Sequence, residues 1–197
     1  MEIDEGYAWS THQPIINACL DYFKPAFICE IGTGIYSTPL FIKEDAEKLF
    51  IENDFEFKQY IEKKYGIDIL FHAIPVANHT ISPANVSKEV KNIIAQYYLS
   101  LNIPDKHPSL LFVDGFCATR AIAINALWNK FDIVIYHDAE AVEHNQYYFD
   151  FSCHKKTLVT PRTWTTVMSK LDLSKIDFTP YVKKYEMENN ITGLYIQ

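Results

Sequence analysis

The residues of this chain that could do chemistry collect directly behind short apolar runs. Ser109-Leu-Leu-Phe-Val113 ends in Asp114-Gly115, and Asp132-Ile-Val-Ile-Tyr136 ends in His137-Asp138. A carboxylate beside an imidazole suits general acid–base work, because the imidazole titrates near neutrality and the carboxylate fixes its proton. On residue type alone His137 reads equally as a general base or as a structural histidine, and Asp114-Gly115 equally as a reactive group or a turn. Asp138 and Glu140 could cap the helix that follows. With Asp114 they could instead offer oxygen ligands to a hard divalent cation such as magnesium, although no dense carboxylate motif marks a metal site. Arg120 would pair with an acidic substrate or with a neighbouring carboxylate.

A second cluster precedes this one. The apolar run Ala26 to Cys29 leads into Glu30, then a turn on Gly32 and Gly34, then Thr38-Pro39 as an N-cap with proline at the first helical position. Strand, glycine turn and helix N-terminus together offer backbone N–H groups to a ligand. Glu52 closes the next apolar run, Lys48 to Ile51, 20 residues after Gly32 (52 − 32), where a carboxylate can reach a ribose hydroxyl. Glu30 is expected to orient the turn by accepting backbone N–H bonds. Tyr7, Trp9 and Tyr36 either pack or wall a pocket.

The surrounding elements alternate. A helix is expected over Pro14 to Phe23, with Ile15, Ile16, Cys19, Leu20 and Phe23 on its buried face. A helix from about Pro39 to near Glu47 precedes the second strand. Asn53 with Glu56 resembles a capping box opening a helix that Gly66 stops, before a third strand, Ile67 to Phe71. His72 to Ser87 reads as a loop. Val90, Ile93, Ile94, Tyr97, Tyr98 and Leu101 mark a helix, and Ala118 to Lys130 another, between the fourth and fifth strands. Tyr147 to Cys153, Lys156 to Val159 and Leu194 to Ile196 are read as edge strands.

The pattern predicts an α/β, three-layer, Rossmann-like, doubly wound and mostly parallel sheet, with helices on both faces and antiparallel C-terminal edge strands. Residues 1–197 form one domain on this reading: an N-terminal helical segment (1–25), a core (26–140) and a C-terminal region of edge strands and a helix (141–197). Ligands bind outside the carboxyl ends of the strands in such sheets, which here are Glu30, Glu52, His72, Asp114 and His137-Asp138.

Composition narrows the classes. Hydrophobic residues make up 48% of the 197, enough for a substantial core. No apolar run approaches the roughly 20 residues of a membrane span. Cys19, Cys29, Cys117 and Cys153 form no C-x-x-C pair and suit reduced thiols. The start, Met1-Glu-Ile-Asp-Glu5, lacks the basic residues of a secretory signal, so a cytoplasmic location is expected. A net charge of −7 and no Lys or Arg run longer than two argue against nucleic acid as the main partner. The expected partner is a small molecule or glycan, with no membrane. The oligomeric state is open, a homodimer included.

Glu30-Ile-Gly-Thr-Gly34 resembles the first motif, E/D-x-G-x-G, of the class I S-adenosylmethionine-dependent methyltransferases, and Glu52 resembles the acidic residue after their second strand. The resemblance covers roughly residues 7 to 140. Val113-Asp-Gly115, Arg120-Ala-Ile122 and Ile135-Tyr-His-Asp138 look like a small-molecule or glycan O-methyltransferase branch, including its polysaccharide-methylating group. The resemblance implies S-adenosyl-L-methionine as cofactor, bound by Glu30, Gly32, Thr33, Gly34, Ser37, Thr38, Glu52 and Asn53. Gly32 to Gly34 would approach its methionine portion, Glu52 would take the ribose hydroxyls, and Ser37 and Thr38 would hold the helix start. It implies Asp114, His137 and Asp138 as catalytic and Tyr7, Trp9 and Arg120 as substrate-binding residues. Two positions depart from the pattern. Tyr36 replaces a small residue, and His72 to Val76 lacks the acidic residue that often reads the adenine amine. Two rivals remain at this level. A nicotinamide-dependent oxidoreductase is disfavoured by Ser37 in place of a third glycine and by the misplaced Tyr60-to-Lys64 pair. A non-catalytic binding module would suit the aromatic content of 15%.

Overall fold

The computed structural model describes residues 9–74 and 83–197, so Tyr7 lies outside the described residues. Eight strands form one sheet: β1 (Phe27–Ile31), β2 (Glu47–Glu52), β3 (Leu70–Phe71), β4 (Ser109–Val113), β5 (Ile133–His137), β6 (His154–Val159), β7 (Thr165–Ser169) and β8 (Tyr195–Ile196). Their order is β3-β2-β1-β4-β5-β7-β6-β8. The first five run parallel. Strand β7 inserts antiparallel between β5 and β6, and β8 lies antiparallel on β6. The α/β, mostly parallel architecture with antiparallel C-terminal strands is the expected one.

All five residues of β1, β4 and β5 are buried, because helices cover both faces of a parallel sheet and leave no solvent side. Side-chain alternation then sorts the core into two layers. Ile28, Leu110, Phe112, Ile133 and Ile135 pack with residues of α1 (Gln13–Phe23) and α7 (Thr179–Asn189). Cys29, Leu111, Val113, Val134 and Tyr136 pack with α4 (Lys88–Ser100) and α5 (Cys117–Leu127). The same alternation puts Glu30, Asp114 and His137 on the α1 side.

Several boundaries differ from expectation, each for a local reason. The helix after the glycine turn, α2, is only Thr38–Ile42, and its N-cap is Ser37 rather than Thr38, so Pro39 sits one position further in. The Thr38 hydroxyl is drawn instead into the hydrogen bonds of Glu30. Asp54, not Asn53, caps α3 (Phe55–Tyr65) by accepting from Phe57 N, and Gly66 ends it in the left-handed conformation as anticipated. Only Leu70–Phe71 of the expected third strand pairs, since β3 is an exposed edge with one neighbour. Tyr147 to Cys153 is not a strand. Its aromatic rings pack on Trp128 and Tyr136 instead. Thr165–Ser169, unmarked in the sequence, is a fully buried strand. A short helix, α6 (Val142–Asn145), follows the fifth strand. The four cysteines form no disulfide. Among the described residues no helix is long and apolar enough to cross a membrane.

Candidate active site

The register of β4 on β5, Val113 opposite Tyr136, brings the next residues, Asp114 and His137, side by side at the carboxyl edge of the sheet. Asp114 Oδ2 lies 3.2 Å from His137 Nδ1. The other ring nitrogen, Nε2, lies 2.8 Å from Thr11 Oγ1 and 3.1 Å from Thr163 Oγ1. Thr163 donates its hydroxyl proton to Asp138 Oδ1 at 2.9 Å, so it accepts from His137 Nε2–H. The network therefore fixes a proton on Nε2. Nδ1 faces the Asp114 carboxylate.

Arg120 ties the carboxylates together. It projects from α5, bonds Asp114 Oδ1 through Nη2 at 3.1 Å, contacts Asp138 Oδ2 through Nη1, and donates through Nε to the Gly115 carbonyl at 2.6 Å. Of the two readings for Arg120, pairing with neighbouring carboxylates is the one the fold realises. Asp138 reaches this fork because its backbone is left-handed, φ 53°, a conformation that Asp tolerates better than most residues. Glu140 turns away. Its Oε2 accepts from the backbone of Trp164 at 2.7 Å. The oxygen-only cation set of Asp114, Asp138 and Glu140 is therefore not brought together.

Charge follows this geometry. Burial pulls against the Asp114 carboxylate, yet His137 and Arg120 outweigh it and hold its pKa near about 2. Burial would likewise lower His137, but Asp114 and Asp138 overcome it and leave the imidazole above its ordinary value. His12 stands edge-on to His137, ring centroids 5.1 Å apart, and is pushed down to about 3 by burial and by the positive neighbour.

The glycine turn forms the opposite wall. Its expected ligand-binding groups bond one another. Glu30 accepts from Ser37 Oγ at 2.5 Å and Thr38 Oγ1 at 2.7 Å, and Thr38 Oγ1 accepts from Gly34 N at 2.9 Å. Glu30 thus orients the turn, but through hydroxyl groups rather than backbone N–H groups. Burial raises its pKa to about 8. Glu52 Oε2 accepts from Thr33 N (2.9 Å) and Thr33 Oγ1 (3.0 Å), and Oε1 accepts from Asn53 N (2.7 Å) and Asp54 N (2.9 Å). Four donors fill the roughly four lone-pair sites of a carboxylate, so a ribose hydroxyl meets Glu52 only by replacing one of them. Asn53 Oδ1 accepts from Phe116 N at 3.4 Å. Gly32, at φ 83°, lies against Gly115: a Cβ there would fall 2.2 Å from Gly115 N. The glycine is required by turn-on-turn packing.

Between these walls lies a cleft of about 370 Å³, lined by Trp9, His12, Gly32 to Ser37, Phe57, Asp114, Arg120, His137 and Asp138. Arg120 and His137 offset the carboxylates of Asp114 and Asp138 on its floor. Three aromatic side chains, Trp9, Tyr36 and Phe57, line it, and their ring faces attract a cation such as a sulfonium. The residues present therefore fit the charged, reacting end of S-adenosylmethionine.

Neither a family model nor a curated protein matches the sequence. Among solved structures the chain resembles the crystal structure of a methyltransferase-like protein from Silicibacter pomeroyi, with a TM-score of 0.50 and 12% identity over 94% of this chain and 96% of that one. The likeness is one of fold.

Of the residues singled out in the sequence, the cleft gathers Trp9, Gly32, Thr33, Gly34, Tyr36, Ser37, Asp114, Arg120, His137 and Asp138. Glu30, Thr38, Glu52 and Asn53 stand behind it as supports. Sequence reasoning did not single out Thr11, His12, Phe57 or Thr163. For Thr11 and His12 the one signal was the run Tyr7-Ala-Trp-Ser-Thr-His12, dense in aromatic and hydroxyl groups ahead of a helix.

Proposed function

We propose that the protein is an S-adenosylmethionine-dependent methyltransferase that methylates an oxygen nucleophile on a small molecule or sugar. The observation that carries this reading is the Asp114–His137 pair, 3.2 Å apart, on the floor of a cleft whose far wall is the β1–α2 glycine turn. S-adenosylmethionine, when bound, supplies an electrophilic methyl group. The backbone of Gly32 to Ser37, with Trp9, Tyr36 and Phe57, would hold it. What remains for the chain is to align the acceptor and to take its proton. Asp114, the more open member of the pair, meets the acceptor hydroxyl and passes its proton to His137, whose Nε2 side Thr11 and Thr163 hold in place. Arg120 keeps Asp114 and Asp138 in position and is not itself free to bind an acidic substrate.

Calorimetric titration with S-adenosylmethionine, S-adenosylhomocysteine and NAD tests the reading. Micromolar heats from both adenosyl ligands and none from NAD are expected. Preference for NAD, or no heat from any of the three, overturns it.

A further inference from the structure

The floor of the cleft holds a group that methyl transfer does not use. His12 is 2% exposed, and neither of its ring nitrogens has a hydrogen-bond partner among the described residues. An imidazole buried with both nitrogens unanswered lacks the partners that buried polar groups ordinarily have. It is not remote from other donors. One nitrogen of His12, one carboxylate oxygen of Asp114 and one nitrogen of His137 all lie within 4.8 Å of one another, and all three residues line the cleft.

The proton inventory points the same way. Thr163 spends its hydroxyl proton on Asp138 and so requires Nε2–H on His137. With Nε2 protonated, a neutral His137 turns the Nδ1 lone pair toward Asp114 Oδ2 at 3.2 Å. Two lone pairs at that distance need a cation between them, either a proton or a metal ion. A metal bound to two ligands by bonds of about 2.1 Å at the tetrahedral angle would hold them roughly 3.4 Å apart, close to the spacing already present. With all three donor atoms within 4.8 Å of one another, His12 would have to close in by at most about 1.4 Å (4.8 − 3.4).

We infer that His12, Asp114 and His137 form a two-histidine, one-carboxylate site for a single divalent first-row transition-metal ion, of the zinc or iron(II) class, with its open positions facing the cleft. Two imidazoles and one carboxylate favour such ions over magnesium, which takes oxygen ligands. The supporting shell is present. Thr11 and Thr163 hold the far nitrogen of His137, and Arg120 holds the second oxygen of Asp114, as partners of metal ligands commonly do. The ion would take the place of the shared proton and would polarise an oxygen entering the cleft. The site is independent of whether that oxygen is then methylated.

The test is titration of chelator-treated protein with Co(II) alone, followed by its visible absorption, and with Zn(II) by calorimetry, no adenosyl ligand being present. One ion per chain at micromolar affinity is expected, with a d–d spectrum of low symmetry. The His12→Phe variant keeps a ring of similar shape but has no donor atom, and should lose roughly 100-fold or more in affinity. Should His12→Phe fail to fold, Asp114→Asn puts the same question. No uptake by the wild-type protein overturns the site, as does uptake unchanged in the folded variant. Because the adenosyl titration is a separate measurement, failure of the metal site and failure of the methyltransferase reading are told apart.

Discussion

Glu30 carries a carboxyl group whose charge the fold disfavours. It is wholly buried, with the hydroxyl groups of Ser37 and Thr38 to answer it among the described residues, and burial raises its pKa to about 8. Above its ordinary value of 4.5 the unfolded chain gives up this proton while the folded chain keeps it. Stability from this group is therefore full below 4.5, falls as pH rises to about 8, and then levels. Glu30→Gln keeps an acceptor for Ser37 and Thr38 without the charge. In denaturant titrations at about pH 6 and pH 9 it should remove that slope and equal or exceed the wild type at the higher pH. Glu30→Ala should lose about 1–3 kcal/mol at both, because it orphans the hydroxyls. The sign at His137 comes from a different balance. Burial pulls its pKa down, and Asp114 and Asp138 more than compensate. The stability it contributes is present below the ordinary imidazole value and is lost as pH rises through the higher folded value. Methyl transfer, which needs the neutral ring, should rise over the same interval. Asp114→Asn removes the larger compensating charge and lets burial dominate. Nuclear magnetic resonance titration of the His137 ring should show its pKa fall, with turnover reduced by about a hundredfold or more.

At the scale of elements, the β1–α2 turn is a joint between three strands. Gly32 packs on Gly115 after β4, and Thr33 bonds Glu52 at the end of β2. The two glycines are not equivalent. Gly32→Ala places a Cβ 2.2 Å from a backbone nitrogen at φ 83°, and should destabilise the protein by roughly 3 kcal/mol or more in chemical denaturation. Gly115→Ala meets nothing closer than 3.4 Å and should cost under about 1 kcal/mol. Glu52 behaves as a strut. Glu52→Ala leaves the N–H groups of Thr33, Asn53 and Asp54 without their acceptor, and should cost about 2–4 kcal/mol whether or not ligand is present. Glu52→Gln retains acceptor capacity toward Thr33, so the difference between the two variants in thermal unfolding separates support of the turn from contact with ribose. The β4–α5 and β5–α6 turns form the second joint. There Arg120 spans both, and the left-handed Asp138 folds back to meet it.

Across the whole molecule one sheet serves two core layers, so the layers cannot come apart without breaking strands common to both. Trp9 sits at the cleft, Trp128 beneath the α5 layer beside Phe151, and Trp164 at the start of β7. Unfolding followed by their fluorescence and by far-ultraviolet circular dichroism should share one midpoint. Separated midpoints would mean independent units. The amino-acid sequence by itself determined the parallel core. Ser109–Val113 was legible to the residue because a strand buried on both faces is a near-continuous apolar run, here Leu110 to Val113 behind Ser109. The same run-and-stop pattern marked Asp114, His137 and Asp138, since a parallel strand presents the residues at its carboxyl end to the ligand-binding edge of the sheet. Edge strands were less legible. Strand β3 shrinks to two residues with a single neighbour, and β7, Thr165-Thr-Val-Met-Ser169, reads as polar yet is buried by insertion between β5 and β6. Tertiary structure alone decided that Glu52 is saturated, that Arg120 is spent on two carboxylates, and that His12 joins the site. Thr11 and His137 meet across 126 residues, and His12 follows Thr11. No local periodicity records such a contact, because it arises only when the residues leading into helix α1 come to lie against the ends of β4 and β5.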